Sequence, residues 1–154
     1  MIKLSKLSDY GVVLMTELSR RREQGCLTAR DLAAELGLPL PTVSKLLKLL
    51  AKGGLLESQR GAKGGYSLAR EPEAIDLAQI LVALEGPVSM TACVDGECEH
   101  LEQCGASSSW HWINQRVIDA LREVTLADMG DSLLLNMARG RGEQSSLPLE
   151  IEGR

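Results

Sequence analysis

Two helix signatures stand almost end to end between Thr28 and Lys52, with only Gly37 to Pro41 between them. That spacing leaves the chain few ways to fold. Thr28 is placed to cap the first signature, with Asp31 three residues on as its reciprocal partner. Gly37 is placed to end it. Pro39-Leu40-Pro41 makes a tight connection, and Pro41 suits the first turn of the next helix, where no backbone donor is missed. Val43, Leu46, Leu47 and Leu50 then recur at i, i+3, i+4 and i+7, which is one apolar face. Thr42, Ser44, Lys45, Lys48 and Lys52 lie away from that face, and Gly53-Gly54 stops the helix.

A further helix precedes this pair. It is expected to begin near Asp9, to carry Val12, Val13, Leu14 and Leu18, and to fade in Arg20-Arg21-Arg22, whose charge complements the helix dipole. Two short strands follow the pair, Leu55 to Gln59 and Tyr66 to Leu68. Between them Arg60-Gly61-Ala62-Lys63-Gly64-Gly65 forms a flexible, basic hairpin tip. Helix, helix, helix, hairpin is the order of a winged helix-turn-helix. The expected fold class is mainly α with a small β-hairpin. With two Trp, two Tyr and no Phe, its core must be aliphatic.

Arg70-Glu71-Pro72 marks the end of this module. Asp76 caps a fourth helix, with Gln79 at the reciprocal position and Leu77, Ile80, Leu81 and Leu84 as its buried stripe. Gly86-Pro87 ends it. Cysteines occupy a loop over 93–104. Ser107 to Ser109 can cap a fifth helix reaching about Glu123. Its apolar positions Trp110, Ile113, Val117, Leu121 and Val124 approach a heptad seam. Thr125 and Asp128 form a capping pair for a last short helix. The expected organisation is a DNA-binding module over 1–70, a connecting helix and cysteine segment over 71–106, and a dimerisation helix with a short terminal helix over 107–130. A flexible tail over 131–154 follows, whose last residues Ile151-Glu152-Gly153-Arg154 read as a protease-recognition tag.

Charge separates along these units. Residues 1–70 hold twelve Lys/Arg against six Asp/Glu, and residues 71–154 five against fifteen; the balances of +6 and −10 return the net −4 of the chain. The first module can attract a polyanion that the rest repels. In a helix-turn-helix the second helix enters the major groove with its N-terminal residues toward the base edges. Here that places Thr42, Ser44 and Lys45 at base edges and Lys48 and Lys52 at phosphates. Arg60 and Lys63 on the hairpin suit a narrow minor groove. Scarce aromatics argue against single-stranded nucleic acid. A lone winged module makes few contacts, which a dimer on two half-sites would double.

Cys93-x4-Cys98-x5-Cys104 is a second concentration of chemistry, apart from Cys26, which reads as a small packing residue. Soft thiolates suit iron, zinc or copper(I). The spacing lacks the short knuckles of structural zinc and differs from common iron–sulfur runs. Asp95, Glu97, Glu99 and Glu102 surround the cysteines, and no Lys or Arg lies between 93 and 104. Acidic neighbours disfavour a reactive thiolate, whereas a metal centre supplies the positive charge that deprotonates it. Three cysteines do not complete a site. His100, His111 and Asp9 are candidates for the fourth ligand, with Glu97, Glu99 and Glu102 behind them.

The sequence resembles the Rrf-two family of winged-helix iron–sulfur transcription regulators over roughly residues 1–130. The resemblance rests on Lys6-Leu7-Ser8-Asp9-Tyr10-Gly11, on Leu38-Pro39-Leu40-Pro41-Thr42-Val43-Ser44-Lys45-Leu46-Leu47-Lys48, and on Arg60-Gly61-Ala62-Lys63-Gly64-Gly65-Tyr66. Ala83-Leu84-Glu85-Gly86-Pro87, the three cysteines and Val124-Thr125-Leu126-Ala127-Asp128-Met129 complete it. The wording of the recognition helix is most similar to the branch that regulates the Suf cluster-assembly operon. The resemblance implies a homodimer on palindromic promoter DNA, with a [2Fe-2S] or [4Fe-4S] cluster on Cys93, Cys98 and Cys104. Gain, loss or damage of that cluster would shift DNA affinity. The assembly repressor of the isc type has a histidine three residues after its last cysteine, where this chain has Ser107. The nitric-oxide-sensing branch uses an aspartate near the start of the first helix, contributed by the partner subunit, and Asp9 matches that place.

The expected function is a cytoplasmic, cluster-sensing repressor of iron–sulfur cluster assembly genes. A nitric-oxide- or redox-sensing repressor of the same family is the nearest alternative. A metal-carrier or redox protein whose winged module binds protein, and a zinc-containing regulator, are others. No phosphate loop or nucleophile–base arrangement suggests an enzyme. No apolar run approaches the ~20 residues of a membrane span, and Met1 to Ser8, with Lys3 and Lys6, does not read as a secretory leader.

Overall fold

The structure, a computed structural model, describes residues 4–62, 64–99 and 104–130. Helix α1 spans Lys6–Arg20 and starts three residues earlier than expected, because the side chain of Ser5 accepts the Ser8 N–H and serves as its cap. Asp9 therefore lies in the first turn, where a negative charge faces the positive end of the helix dipole. Helix α2, Ala29–Leu36, has the capping box expected of Thr28 and Asp31, and ends at Gly37 in the left-handed conformation. Helix α3, Leu40–Lys52, carries Pro41 in its first turn and stops at Gly53.

Strands β1, Leu56–Gln59, and β2, Gly65–Leu68, pair antiparallel with Leu56 opposite Leu68 and Gln59 opposite Gly65. Each strand starts one residue from its expected place, and both end where expected, at Gln59 and Leu68. The hairpin is tied to the segment before α2 by two backbone hydrogen bonds, Leu27 N–H to Tyr66 O at 2.9 Å and Tyr66 N–H to Leu27 O at 2.8 Å. Helix α4, Leu77–Glu85, is capped by Asp76, which accepts the Gln79 N–H. The reciprocal bond is absent, since the Gln79 side chain accepts instead from Arg70. A short helix α5, Ala92–Asp95, was not anticipated; it places Cys93 on a helical turn rather than in a loop. Helix α6 spans Ser107–Arg122. Its cap position is Ala106, without a side-chain bond, so Ser107 to Ser109 lie inside the helix instead of capping it.

One aliphatic core joins these elements. Leu14, Met15 and Leu18 of α1, Leu32 of α2, and Val43, Leu46, Leu47 and Leu50 of α3 meet Leu55, Leu56, Ile75, Ile80 and Leu84. The expected apolar face of α3 is fully buried. Gly11 permits the close approach of α1 to α4: a Cβ there would lie 2.2 Å from Cδ1 of Leu84. After α6 the chain returns to the core. Leu126 is fully buried and its N–H donates to Ile75 O at 2.7 Å, while Leu77 N–H donates to Val124 O at 2.9 Å. Thr125 and Asp128 make the expected reciprocal cap at this point, and residues 126–130 are helical.

Candidate nucleic-acid interface and cysteine segment

With Val43, Leu46, Leu47 and Leu50 buried, helical geometry turns Pro41, Lys45, Lys48 and Lys52 outward, and all four are exposed. Thr42 and Ser44 flank the buried face and are half-buried. Among the described residues, no ion pair engages Lys45, Lys48 or Lys52. Their charge is thus available to an external anion, unlike that of Arg20, held by Glu17, or Arg22, held by Glu71. Glu17 and Glu71 hold these two guanidinium groups above their ordinary pKa by hydrogen bonding and charge attraction. Arg60 is exposed at the hairpin end. Lys63, its expected companion, lies outside the described residues.

The cysteine segment links α4 to α6. Gly86, at φ +90, ends α4 and begins it. Cys93, Cys98 and Cys104 are all free and half-buried, as is Cys26 far off in the chain. The Thr91 hydroxyl donates to the Cys93 sulfur at 3.4 Å. Asp95, Glu97 and Glu99 point to solvent. Among the described residues, no three His, Cys, Asp or Glu side chains gather closely enough to hold a metal ion. The segment therefore carries the soft donors but does not bring them into one coordination sphere within a single chain. His100 and Glu102 lie outside the described residues. His111 is exposed on the first turns of α6, and its Nδ1 donates to Ser107 O at 2.8 Å. Asp9 is exposed on α1.

Two connections to this segment were not anticipated. The first is at Glu85, the last residue of α4, whose carboxylate accepts hydroxyl hydrogen bonds from both Ser5 and Ser8 at the start of α1. Those bonds, Ser5 first and then Ser8, hold the Glu85 pKa below its ordinary value. The start of the basic module's first helix is thereby tied to the residue from which the cysteine segment departs. The second is Asn114, the one buried residue of α6. Its side chain holds the backbone of Val88 and Met90. A polar residue on the same face as Trp110, Val117 and Leu121 was the available signal, because an unpaired amide on such a face would be costly.

The expected seam of α6 is only partly covered within the chain. Trp110 and Val124 are exposed and Ile113, Val117 and Leu121 are half-buried; Trp112, outside that seam, is 63% exposed. Among the described residues no helix is long and apolar enough to cross a membrane.

Comparison with known proteins accounts for this arrangement. The profile of the Rrf2 iron-dependent transcriptional regulators matches residues 4–132. An HTH-type transcriptional regulator of Synechocystis is 32% identical over 142 residues, covering 92% of this chain and 97% of that protein. The HTH-type transcriptional regulator IscR of Erwinia tasmaniensis is 26% identical over 154 residues, covering 99% and 93%. Among solved structures, CymR, the global cysteine regulator of B. subtilis, is similar with a TM-score of 0.70 at 32% identity, over 86% of this chain and 98% of that one. T. potens IscR is similar with a TM-score of 0.66 at 30% identity, over 94% of each chain. These relatives are regulators rather than enzymes. The exposed cations of α3, the hairpin beside them and the helices behind them are those of a winged-helix transcription regulator, and the chain belongs to the Rrf2 family of iron-dependent transcriptional regulators.

Proposed function

We propose that this regulator is a cytoplasmic homodimer that represses iron–sulfur cluster assembly genes from palindromic promoter DNA and senses an iron–sulfur cluster of its own. The observation that carries the reading is the joining of two parts: a basic recognition helix, and three free, half-buried thiols on the segment that leaves the same core. Thr42, Ser44 and Lys45 read base edges. Lys48 and Lys52 bind phosphates, and Arg60 and Lys63 enter the minor groove. The partly covered face of α6 forms the seam between copies, a reading supported by Trp110, Ile113, Val117 and Leu121, with Val124 just beyond the helix, none of which is buried within one chain.

Cys93, Cys98 and Cys104 suit the cluster by donor type, being uncommitted thiols in a segment whose acidic side chains face water. Asp9 of the partner subunit supplies the fourth position, with His100 and His111 as alternatives. When bound, the group supplies a centre whose oxidation state and integrity respond to iron supply and oxidants. The chain's part is to convert binding at the three cysteines into a change in the setting of α1 against α4. A ligand can shift DNA affinity only if it favours one of two arrangements of the reading heads. The contacts of Gly11 with Leu84 and of Ser5 and Ser8 with Glu85 are where such a change would be felt.

A second reading is favoured by one observation, that the described cysteines do not converge. In it the chain is a winged-helix regulator that works without a cluster. Anaerobic purification followed by gel-shift titration on promoter DNA separates the two. The proposal expects brown, iron- and sulfide-containing protein whose DNA affinity differs between cluster-bound and cluster-free forms. Equal affinity of the two forms would leave only the second reading.

A further inference from the structure

We propose that Asn114 and Thr91 are positioning residues that hold Cys93 in a set place relative to α6; the inference rests on the reading of Cys93 as a cluster ligand. Asn114 is 4% exposed, and both ends of its amide are used. Its Oδ1 accepts the Met90 N–H at 3.0 Å and its Nδ2 donates to Val88 O at 3.1 Å. One side chain at the middle of α6 thus grips the backbone on both sides of Ser89, four residues before Cys93. Ser89 donates its hydroxyl to Thr91 O at 3.0 Å and tightens the turn into α5.

Thr91 then departs from the usual behaviour of its position. It is the cap residue of α5, with extended backbone at φ −148 and ψ 153, where a threonine hydroxyl ordinarily accepts a backbone N–H of the first turn. No such bond forms, and the hydroxyl donates to the Cys93 sulfur instead. The polar groups from Asn114 to Cys93 therefore form one relay: amide to backbone, hydroxyl to backbone, hydroxyl to sulfur.

This arrangement has two separable consequences for a thiolate ligand. A hydrogen bond donated to sulfur draws off electron density and favours the more negative, reduced state of a cluster, so it raises the reduction potential. A buried clasp fixes the sulfur's place, so the ligand pays less ordering entropy on closing and leaves more slowly. Thr91 carries the first effect and Asn114 the second.

The test uses the full chain, purified without oxygen. In Thr91→Val, which keeps the shape and removes the donor, spectroelectrochemical titration is expected to find the midpoint potential shifted downward. Thr91→Ser restores the wild-type value. In Asn114→Leu, chelator-driven iron release is expected to accelerate several-fold. Hydrogen exchange of the Met90 amide should accelerate in the same variant without the cluster, a readout independent of metal. The relay is overturned if wild type holds a cluster whose potential ignores Thr91→Val, if Thr91→Ser shifts it as far as valine does, or if Met90 exchange is unchanged in Asn114→Leu. Wild-type protein that holds no iron under reconstitution overturns the parent reading, and this one with it.

Discussion

Replacing Gly65 by alanine should cost this fold far more than replacing Gly61, although both belong to the hairpin. Gly65 has φ +156, and Gly61 has φ +111. Both lie where a side chain is strained, at about 1–3 kcal/mol for such a conformation. Around Gly61 an added Cβ meets nothing within 4 Å. At Gly65 it would lie 2.6 Å from Leu27 O, 2.8 Å from Leu27 C and 3.2 Å from Leu27 N. These are backbone atoms, which cannot rotate away. The overlap is relieved only if the hairpin withdraws from Leu27, which breaks the bonds of 2.9 Å and 2.8 Å between Leu27 and Tyr66. Two such bonds contribute roughly 2 kcal/mol together. Gly65→Ala is thus expected to cost ~4 kcal/mol and Gly61→Ala ~2 kcal/mol, a large part of the roughly 5–15 kcal/mol that holds a domain together. Urea denaturation read by circular dichroism should place the Gly65→Ala midpoint about 1 M below that of Gly61→Ala. Coincident midpoints would refute the reasoning, because the attachment of the hairpin to Leu27 would then contribute nothing.

Lys48→Ala and Lys52→Ala should each weaken binding to all duplex sequences alike and lower the salt slope of binding by about one; an unchanged slope in a fluorescence-anisotropy titration would remove them from the phosphate contacts. Thr42→Val or Ser44→Ala should change operator preference more than nonspecific affinity, by about 1–3 kcal/mol at the base pair read. Competition binding against single-base operator variants tests this, and equal losses on all sequences would contradict base reading. Glu85 provides a pH signature. Because hydrogen bonds from Ser5 and Ser8 depress its folded pKa, its contribution is complete above the ordinary value of 4.5 and is lost as pH falls through the depressed one. The gap in urea midpoint between wild type and Glu85→Gln should close below pH 4.5. A gap that stays constant with pH would show that the Ser–Glu85 contacts add no net stability.

The parts of this fold written in adjacent residues were legible before the structure. Thr28 with Asp31, Thr125 with Asp128, Gly37 after α2 and the stripe from Val43 to Leu50 each act within a few residues. Capping and helical periodicity follow from local chemistry alone. The contacts that escaped join residues distant in sequence: Leu27 with Tyr66, Glu85 with Ser5 and Ser8, Asn114 with Val88 and Met90. The residues of these pairs do not identify each other in sequence; Asn114, on an apolar face, signals that it needs a partner but not which one. Gln79 shows how tertiary structure overrides a local rule, since Arg70 takes the side chain that would have closed its capping box. Ser107 to Ser109 show the same for a cap: three competent residues stand in a row, yet the helix starts from Ala106. Of the candidate site, the thiol donors and the exposed lysines of α3 could be read directly, whereas the hydrogen bond from Thr91 to Cys93 and the clasp of Asn114 on the turn before it could not.

The account turns on the coupling of the cysteine segment to the recognition helix. Its most direct measurement is the affinity of one anaerobic preparation for promoter DNA and for random duplex, before and after the iron is removed. Iron and sulfide content and visible absorption would be followed in the same samples. The account predicts visible iron–sulfur absorption that disappears in Cys93→Ala, Cys98→Ala and Cys104→Ala but not in Cys26→Ala, together with a change in promoter affinity on iron removal. Colourless, iron-free protein that binds promoter and random duplex equally would contradict it.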